Sequence, residues 1–334
     1  MVSNSFRIIL LTVILAFSMT TSQAQPKIKL RPDETVLLYA DSFDGNVDPL
    51  FGKEIKYAGF EMEEENGFSG PEKVRPNGSL NRVSDLARID IYLPKKCTGQ
   101  MVIICPGGGY KGLAQYNGGL YPAEWLLSKG IAVAVAKYRM PNGHWNIPLE
   151  DIHNIFRYCR AHADKWGVDQ IGVMGFSAGG HLAASASTLY IDKTTRPDFC
   201  ILIYPVITFN YDLYQSGSRP SLLGPDEKWK DNPQKFNELV KYYSLENQVT
   251  SDTPPTFLAH CTDDKTLAIN SLLYYDQLAK NNVYAELHIW PEGGHGWGFS
   301  ATKIDSFKND RFAYARKEFC TSLERWIKKM RNIN

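Results

Sequence analysis

Residues 171–189 read Ile171-Gly172-Val173-Met174-Gly175-Phe176-Ser177-Ala178-Gly179-Gly180-His181-Leu182 and run on through small residues to Leu189. The short apolar run Ile171 to Met174 predicts a buried strand, and Ala178 to Leu189 predicts a helix. Between them, Gly175-Phe176-Ser177-Ala178-Gly179 fits G-x-S-x-G in the strand-turn-helix setting that this motif requires. Small residues beside Ser177 let the backbone turn sharply, which leaves its hydroxyl exposed above the sheet at the N-terminus of the helix.

The segments on either side keep the same rhythm. Upstream, Arg88 to Leu93 alternates strictly and predicts a half-exposed strand ended by Pro94. Met101 to Cys105 is an apolar run followed by a Gly-rich turn. Tyr121 to Lys129 predicts a helix closed by Gly130, and Ile131 to Lys137 a further strand. Leu149, Ile152, Ile155, Phe156, Cys159, Ala163 and Trp166 recur at helical spacing up to Gly167. Downstream, strands are predicted at Phe199 to Tyr204, Thr256 to His260 and Tyr284 to Trp290, with helices at Ala268 to Lys280 and Phe312 to Met330. Apolar strands alternating with amphipathic helices imply an α/β fold, a mostly parallel sheet covered on both faces. Six such strands plus an N-terminal pair make about eight.

The polar stretch Thr208 to Pro255, with at most short helices, breaks the rhythm between two core strands. It predicts a small cap insertion at about residues 206–255. Ala58 to Leu80 is rich in Gly, Glu, Asn and Pro and predicts a long surface loop. With no internal repeat and no linker, residues 25–334 are expected to form a single domain.

The N-terminus is read separately. Arg7, the apolar run Ile8 to Phe17 and the small residues Ser22 and Ala24 at −3 and −1 predict a signal peptide over residues 1–24. That run is shorter than the roughly 20 residues a spanning helix needs, so no integral membrane segment is expected. Export to the periplasm or the medium follows. Lys and Arg number 37 against 36 Asp and Glu, and loss of Arg7 balances them. Such neutrality argues against a nucleic-acid partner. Six cysteines without a C-x-x-C pair show no metal-ligand spacing, and neither a metal nor an organic cofactor is implied. Export permits disulfides, while Cys200 inside an apolar run reads as a buried thiol.

A serine so placed needs a base, an acid to orient that base, and N–H donors for a developing oxyanion. In the order Ser, then Asp or Glu, then His, the base is His295, in the flexible Gly293 to Gly298 loop just past the last strand. His288 lies within that strand and reads as structural, and so does His260 in its own strand. His181 lies one helical turn from Ser177, pointing along the helix, and reads as packing. Asp263 and Asp264 both follow the strand Thr256 to His260, and spacing leaves either as the acid. Pro106-Gly107-Gly108-Gly109-Tyr110 can aim backbone N–H groups inward because glycine permits the needed torsions. Gly108 and Gly109, with the N–H of Ala178, are the expected oxyanion donors. No G-K-[ST] follows, which argues against a phosphate loop. Tyr110, Tyr116 and Trp297 are the candidates to line a substrate pocket.

The motifs PGGGY, GFSAGGHLA, HCTDD and GGHGWG together resemble the α/β-hydrolase superfamily, and within it the secreted bacterial acetyl xylan and feruloyl esterase-like carbohydrate esterases. The resemblance spans roughly residues 80–330 and includes Ser218 to Gly224 in the cap. It implies the α/β-hydrolase fold and a Ser-His-Asp triad. The substrate it implies is an acylated plant polysaccharide or oligosaccharide, acetylated foremost. A feruloyl or general short-chain carboxylesterase is the alternative. It also selects the acid: relatives carry an aliphatic residue three positions on, and Asp264 has Leu267 there, with Asp263 in reserve. Pro106 stands where lipase-like relatives carry histidine, which leaves the donor register open by one residue, Tyr110 included. Relatives are also labelled xylanases, yet glycoside cleavage needs two positioned carboxylates, which this chain does not supply as plainly. A prolyl-oligopeptidase-type peptidase would need a large gating domain, and about 75 residues precede the catalytic part. An inactive binding module would lack one of the three groups, and all three are present.

Overall fold

In the computed structural model, residues 30–39, 73–74, 79–81, 83, 87–210, 217–299 and 310–332 are described. The predicted signal peptide lies outside them, as does most of the predicted loop over Ala58 to Leu80. The strands are β1 (Glu34–Leu37), β2 (Lys73–Val74), β3 (Leu80–Asn81), β4 (Arg88–Tyr92), β5 (Gln100–Cys105), β6 (Ala132–Lys137), β7 (Gln170–Phe176), β8 (Cys200–Ile203), β9 (Thr256–Cys261) and β10 (Ala285–Trp290). The α-helices are α1 (Tyr121–Ser128), α2 (Ile147–Trp166), α3 (Ala178–Thr188), α4 (Ser218–Leu223), α5 (Pro233–Tyr242), α6 (Ile269–Lys280) and α7 (Arg316–Met330). Eight strands form one sheet in the order β1-β4-β6-β5-β7-β8-β9-β10, while β2 and β3 make a separate two-stranded ladder. Pairing is antiparallel from β1 through β4 to β6 and parallel from there to β10. This is the mostly parallel sheet covered on both faces that the alternation of elements predicts, and the α/β-hydrolase fold that the resemblance implies.

The core follows from the two-residue period of a strand. Met101, Ile103 and Cys105 of β5 join one apolar layer with Ile152, Phe156, Leu182 and Tyr274, from α2, α3 and α6. Val102 and Ile104 join the opposite layer with Leu126, Phe319 and Trp326, from α1 and α7. Each central strand is therefore buried on both faces and carries an unbroken apolar run, the hallmark of a covered parallel sheet.

Chain order reverses at β5: α1 crosses from it to β6 on one face, and α2 returns to β7 on the other. Connections leaving in opposite directions open a crevice at the carboxyl ends of β5 and β7. The Gly107 to Gly109 turn and Ser177 both lie there.

Three elements differ from expectation. β1 is a strand whose place the sequence does not mark, because its four half-buried or exposed residues carry no strong pattern and gain their order from β4. Residues Tyr116–Leu120 form a π-helical turn leading directly into α1. The insertion holds a full helix, α5, begun by Asn232, whose side chain accepts the Lys235 N–H, and by Pro233. Its Phe236, Leu239 and Val240 pack into the α2/α3 layer. All six cysteines are free thiols, and no described helix is long and apolar enough to cross a membrane.

One buried ion pair fastens this frame. Asp151, near the start of α2, accepts from the backbone N–H (2.8 Å) and Nε (2.9 Å) of Arg139 and from the Tyr39 hydroxyl (2.6 Å). Removing Asp151 takes the principal carboxylate from a guanidinium with 2% exposure. Asp151→Ala should therefore lose about 3–5 kcal/mol in urea-induced unfolding; a loss near zero would contradict this role.

Candidate active site

Ser177 links β7 to α3 with φ 55° and ψ −121°, outside the ordinary helical and extended regions. Close packing enforces this geometry. A Cβ at Gly175 would lie 2.1 Å from the Gly179 carbonyl oxygen, and one at Gly179 would lie 2.1 Å from the Cys105 carbonyl oxygen. Only glycine fits at either position. The Ser177 N–H donates to the Ile203 carbonyl at 3.1 Å, and its own carbonyl accepts from Val206 at 3.0 Å. The serine is thus locked to the end of β8 as well.

His295 Nε2 lies 2.8 Å from Ser177 Oγ, while its Nδ1 lies 2.9 and 2.8 Å from the two Asp264 carboxylate oxygens. A carboxylate can only accept, so Nδ1 carries the proton and Nε2 faces the serine hydroxyl as acceptor. Asp264 is 2% exposed and also accepts the Thr266 N–H at 2.7 Å. Its other neighbour is His260, 3.6 Å away. There Nε2–H donates to the Thr266 carbonyl (2.6 Å) and Nδ1 accepts from Ser271 (2.8 Å). Burial pushes the His260 pKa down to about 4, which leaves a neutral ring behind the acid. The edge of the Tyr204 ring packs against His295 at 4.9 Å between centroids.

Spacing leaves Asp263 and Asp264 open, and the geometry separates them. Asp263 accepts the Gly294 N–H at 2.8 Å and pairs with Arg311, so it pins the loop that carries His295. Only Asp264 reaches the imidazole.

The Gly-rich turn runs directly beside the serine. A Cβ at Gly107 would sit 3.1 Å from the Ser177 Cβ, whereas Gly109, at φ 67°, faces open space. Ala178 begins α3, so its N–H has no carbonyl within the helix to meet. These groups border a cavity of about 410 Å³, lined among others by Gly108, Gly109, Asn117, Ser177, Tyr204, Ser218, Lys265 and His295. Among the described residues no cluster of His, Cys, Asp and Glu is arranged to hold a metal ion.

Contrary to expectation, Tyr110, Tyr116 and Trp297 do not border this cavity. Tyr110 is 1% exposed, and its hydroxyl meets His181 Nδ1 at 2.9 Å. Trp297 stacks on Phe312 at 4.0 Å inside the α7 layer. Tyr116 packs edge-on to Tyr121. The Tyr110 and Trp297 rings turn away from the site because apolar layers lie within reach. The polar lining comes instead from Asn117 in the π-helical turn, Ser218 at the start of α4, and Lys265 with Thr266 after Asp264. Tyr204 is a further lining residue that no motif names; its place at the carboxyl end of the strand beside β7 is the signal that marks it.

The other histidines hold structure, as their positions suggest. His181 donates from Nε2 to the Tyr243 carbonyl at 2.9 Å and accepts from Tyr110, tying the Gly-rich turn to the insertion. His288 pairs with Glu286 at 2.7 Å. Burial holds His153, His181 and His260 at about 4, below the ordinary 6.5. The unfolded chain then binds protons that the folded one refuses, so stability declines as pH drops through 6.5 toward 4. Melting temperature should fall between pH 6.5 and 5, less steeply in His181→Gln; a flat profile would contradict neutral buried histidines.

Known proteins resemble this chain in sequence and in fold. An acetylxylan esterase of Xylanibacter ruminicola is 36% identical over 218 residues, which are 64% of this chain and 44% of that protein. Endo-1,4-beta-xylanase B of Butyrivibrio fibrisolvens is 32% identical over 212 residues, 58% of this chain and 32% of that one. The chain therefore spans less than half the length of these two relatives. The crystal structure of an acetyl ester-xyloside bifunctional hydrolase from Caldicellulosiruptor lactoaceticus aligns with TM-score 0.65 and 29% identity, over 90% of this chain and 98% of that one. The BD-FAE family model matches residues 89–275, a span that contains both Ser177 and Asp264. With more than half of its length under that match, the chain belongs to the BD-FAE family.

Proposed function

We propose that this protein is an exported serine carboxylester hydrolase that removes acyl groups, acetyl foremost, from xylan or its fragments. The observation that carries the reading is the hydrogen-bonded chain from Asp264 through His295 to Ser177, opening onto a cavity bordered by Gly108 and Gly109. Its chemistry follows directly. Ser177 Oγ attacks the ester carbonyl as His295 Nε2 takes its proton, and Asp264 stabilises the imidazolium at Nδ1. The carbonyl oxygen gains a full negative charge, met by the N–H groups of Gly108, Gly109 and Ala178. His295 then returns the proton to the departing sugar hydroxyl. Water, activated by the same imidazole, releases the acid from Ser177.

The acyl class and the glycan rest on the relatives, whose names include acetylxylan esterase and acetyl ester-xyloside hydrolase. Feruloyl or short-chain esters are the alternative, with the same machinery and a different acyl pocket. Glycoside cleavage fits less well, because no Asp or Glu is among the residues lining the cavity. Export rests on the sequence of residues 1–24; the mature chain isolated from a native secretor should begin at Gln25.

Ser177→Ala and Asp264→Asn should each lower kcat by at least about 10³-fold on acetylated xylo-oligosaccharides, with far-UV CD unchanged. Asp263→Asn should lower it by no more than about tenfold, since it loosens a loop without touching the imidazole. Equal losses in the two aspartate variants would contradict the assignment. Acid release is to be compared across acetylated xylan fragments, acetylated pectin fragments, methyl ferulate and a short-chain triglyceride. Acetate from the xylan fragments should dominate; hydrolysis of the triglyceride alone would remove the glycan and leave the esterase.

A further inference from the structure

The cavity beside Ser177 has an uneven charge. Of its fifteen lining residues, Lys265 is the only Lys or Arg, and none is Asp or Glu. Lys265 is exposed, and among the described residues it has neither an ion pair nor a hydrogen bond. The two carboxylates preceding it are engaged elsewhere, Asp264 with His295 and the Thr266 N–H, Asp263 with Arg311 and the Gly294 N–H. Among the described residues, no carboxylate pairs with this ammonium at the wall of the site. A site for neutral glycans gains nothing from that arrangement, whereas an anionic group in the substrate would.

Its position also indicates which part of the substrate the charge meets. Lys265 and Thr266 follow Asp264 directly, so they lie on the side of the cavity where His295 is held, away from the Gly107 to Gly109 turn that receives the carbonyl oxygen. His295 delivers its proton to the departing alcohol, so the alcohol leaves along the histidine side. Asn117, whose amide donates to the Gly296 carbonyl at 2.5 Å, ties the wall of the cavity to the loop that carries His295.

Resting on the esterase reading above, we propose that Lys265 selects esters whose alcohol portion is an acidic sugar, so that the preferred substrate is an acetylated oligosaccharide bearing a uronate carboxylate close to the ester. Lys265 is a specificity determinant; it touches the sugar and takes no part in proton transfer.

The test compares kcat/KM on two acetylated xylo-oligosaccharides, one neutral and one carrying a glucuronic acid group beside the acetylated residue. Taking the ratio within each variant cancels any general effect on folding. The wild-type ratio should favour the acidic glycan by about threefold at low ionic strength, the size of an exposed charge pair. It should fall toward unity in 1 M salt, where charges are screened beyond about 3 Å. Lys265→Met should abolish the preference, Lys265→Arg should retain it, and Lys265→Glu should reverse it. A wild-type preference for neither glycan, with acetate released from both, would overturn the inference and leave the esterase standing. Survival of the preference in Lys265→Met would overturn it in the same way. Dependence on Lys265 only when the carboxylate sits on the acyl group, tested with para-nitrophenyl hydrogen succinate against para-nitrophenyl acetate, would also overturn it. Release of para-nitrophenol without acetate from either glycan would remove the carbohydrate reading and this inference together.

Discussion

Ser177 is held at a positive φ by three elements that meet at less than the width of a methyl group. The end of β7, the start of α3 and the end of β5 approach so closely that a Cβ on Gly175 or Gly179 would overlap a carbonyl oxygen. Such a conformation costs on the order of 1–3 kcal/mol for a residue with a side chain, and it persists only where the surroundings over-determine it. Here they do, through hydrogen bonds to Ile203 and Val206 and through the packing of Gly180 against Pro205. The strain turns the serine hydroxyl outward while placing the N–H of Ala178 beside it. Nucleophile and oxyanion donor thereby come from consecutive residues, and neither can move without the other.

A second layer of contacts fixes what faces the serine. Asp264 and Asp263 divide their work: one holds the imidazole, the other the loop backbone one residue before it. His260 and His181 act through neighbours, the first bracing the Asp264 turn from behind, the second linking the Gly-rich turn to the insertion. Both are buried and neutral, so they contribute fixed donors and acceptors without adding charge near the triad. The Tyr138 hydroxyl completes the frame by donating to the Pro106 carbonyl at 2.7 Å. The site is therefore built largely from backbone groups and buried dipoles on rigid strand ends, the arrangement that stabilises developing charge without reorganisation.

How much of this is legible in the sequence depends on where each residue derives its order. The central parallel strands are readable because burial on both faces writes a mostly apolar run, the edge strand β10 because its apolar and polar residues alternate, and the glycines around Ser177 because a close crossing admits nothing larger. β1 is not, since four partly exposed residues at a sheet edge gain their structure from pairing with β4. Ser177 and His295 stand at the ends of well-marked strands, so chain order brings them together; for the acid it reaches only the pair Asp263 and Asp264, which the resemblance and then the geometry resolve to Asp264. The cavity wall is harder: Asn117 and Ser218 arrive on a π-helical turn and on an inserted helix, whose approach is a tertiary fact. Tyr110 and Trp297 show the converse. They neighbour the site in sequence, yet their rings are taken up by the core, because proximity along the chain does not set which way a side chain points.

Acylation of Ser177 by an acetylated xylan fragment is the step on which the proposed mechanism turns. Rapid acid quenching during turnover, followed by peptide mass spectrometry, tests it directly. An acetyl group is expected on the peptide containing Ser177, enriched in His295→Ala if deacylation becomes the slower step, and none in Ser177→Ala. Steady release of acetate with no acetyl on Ser177 in wild type or in His295→Ala, or its release by Ser177→Ala at the wild-type rate, would contradict it.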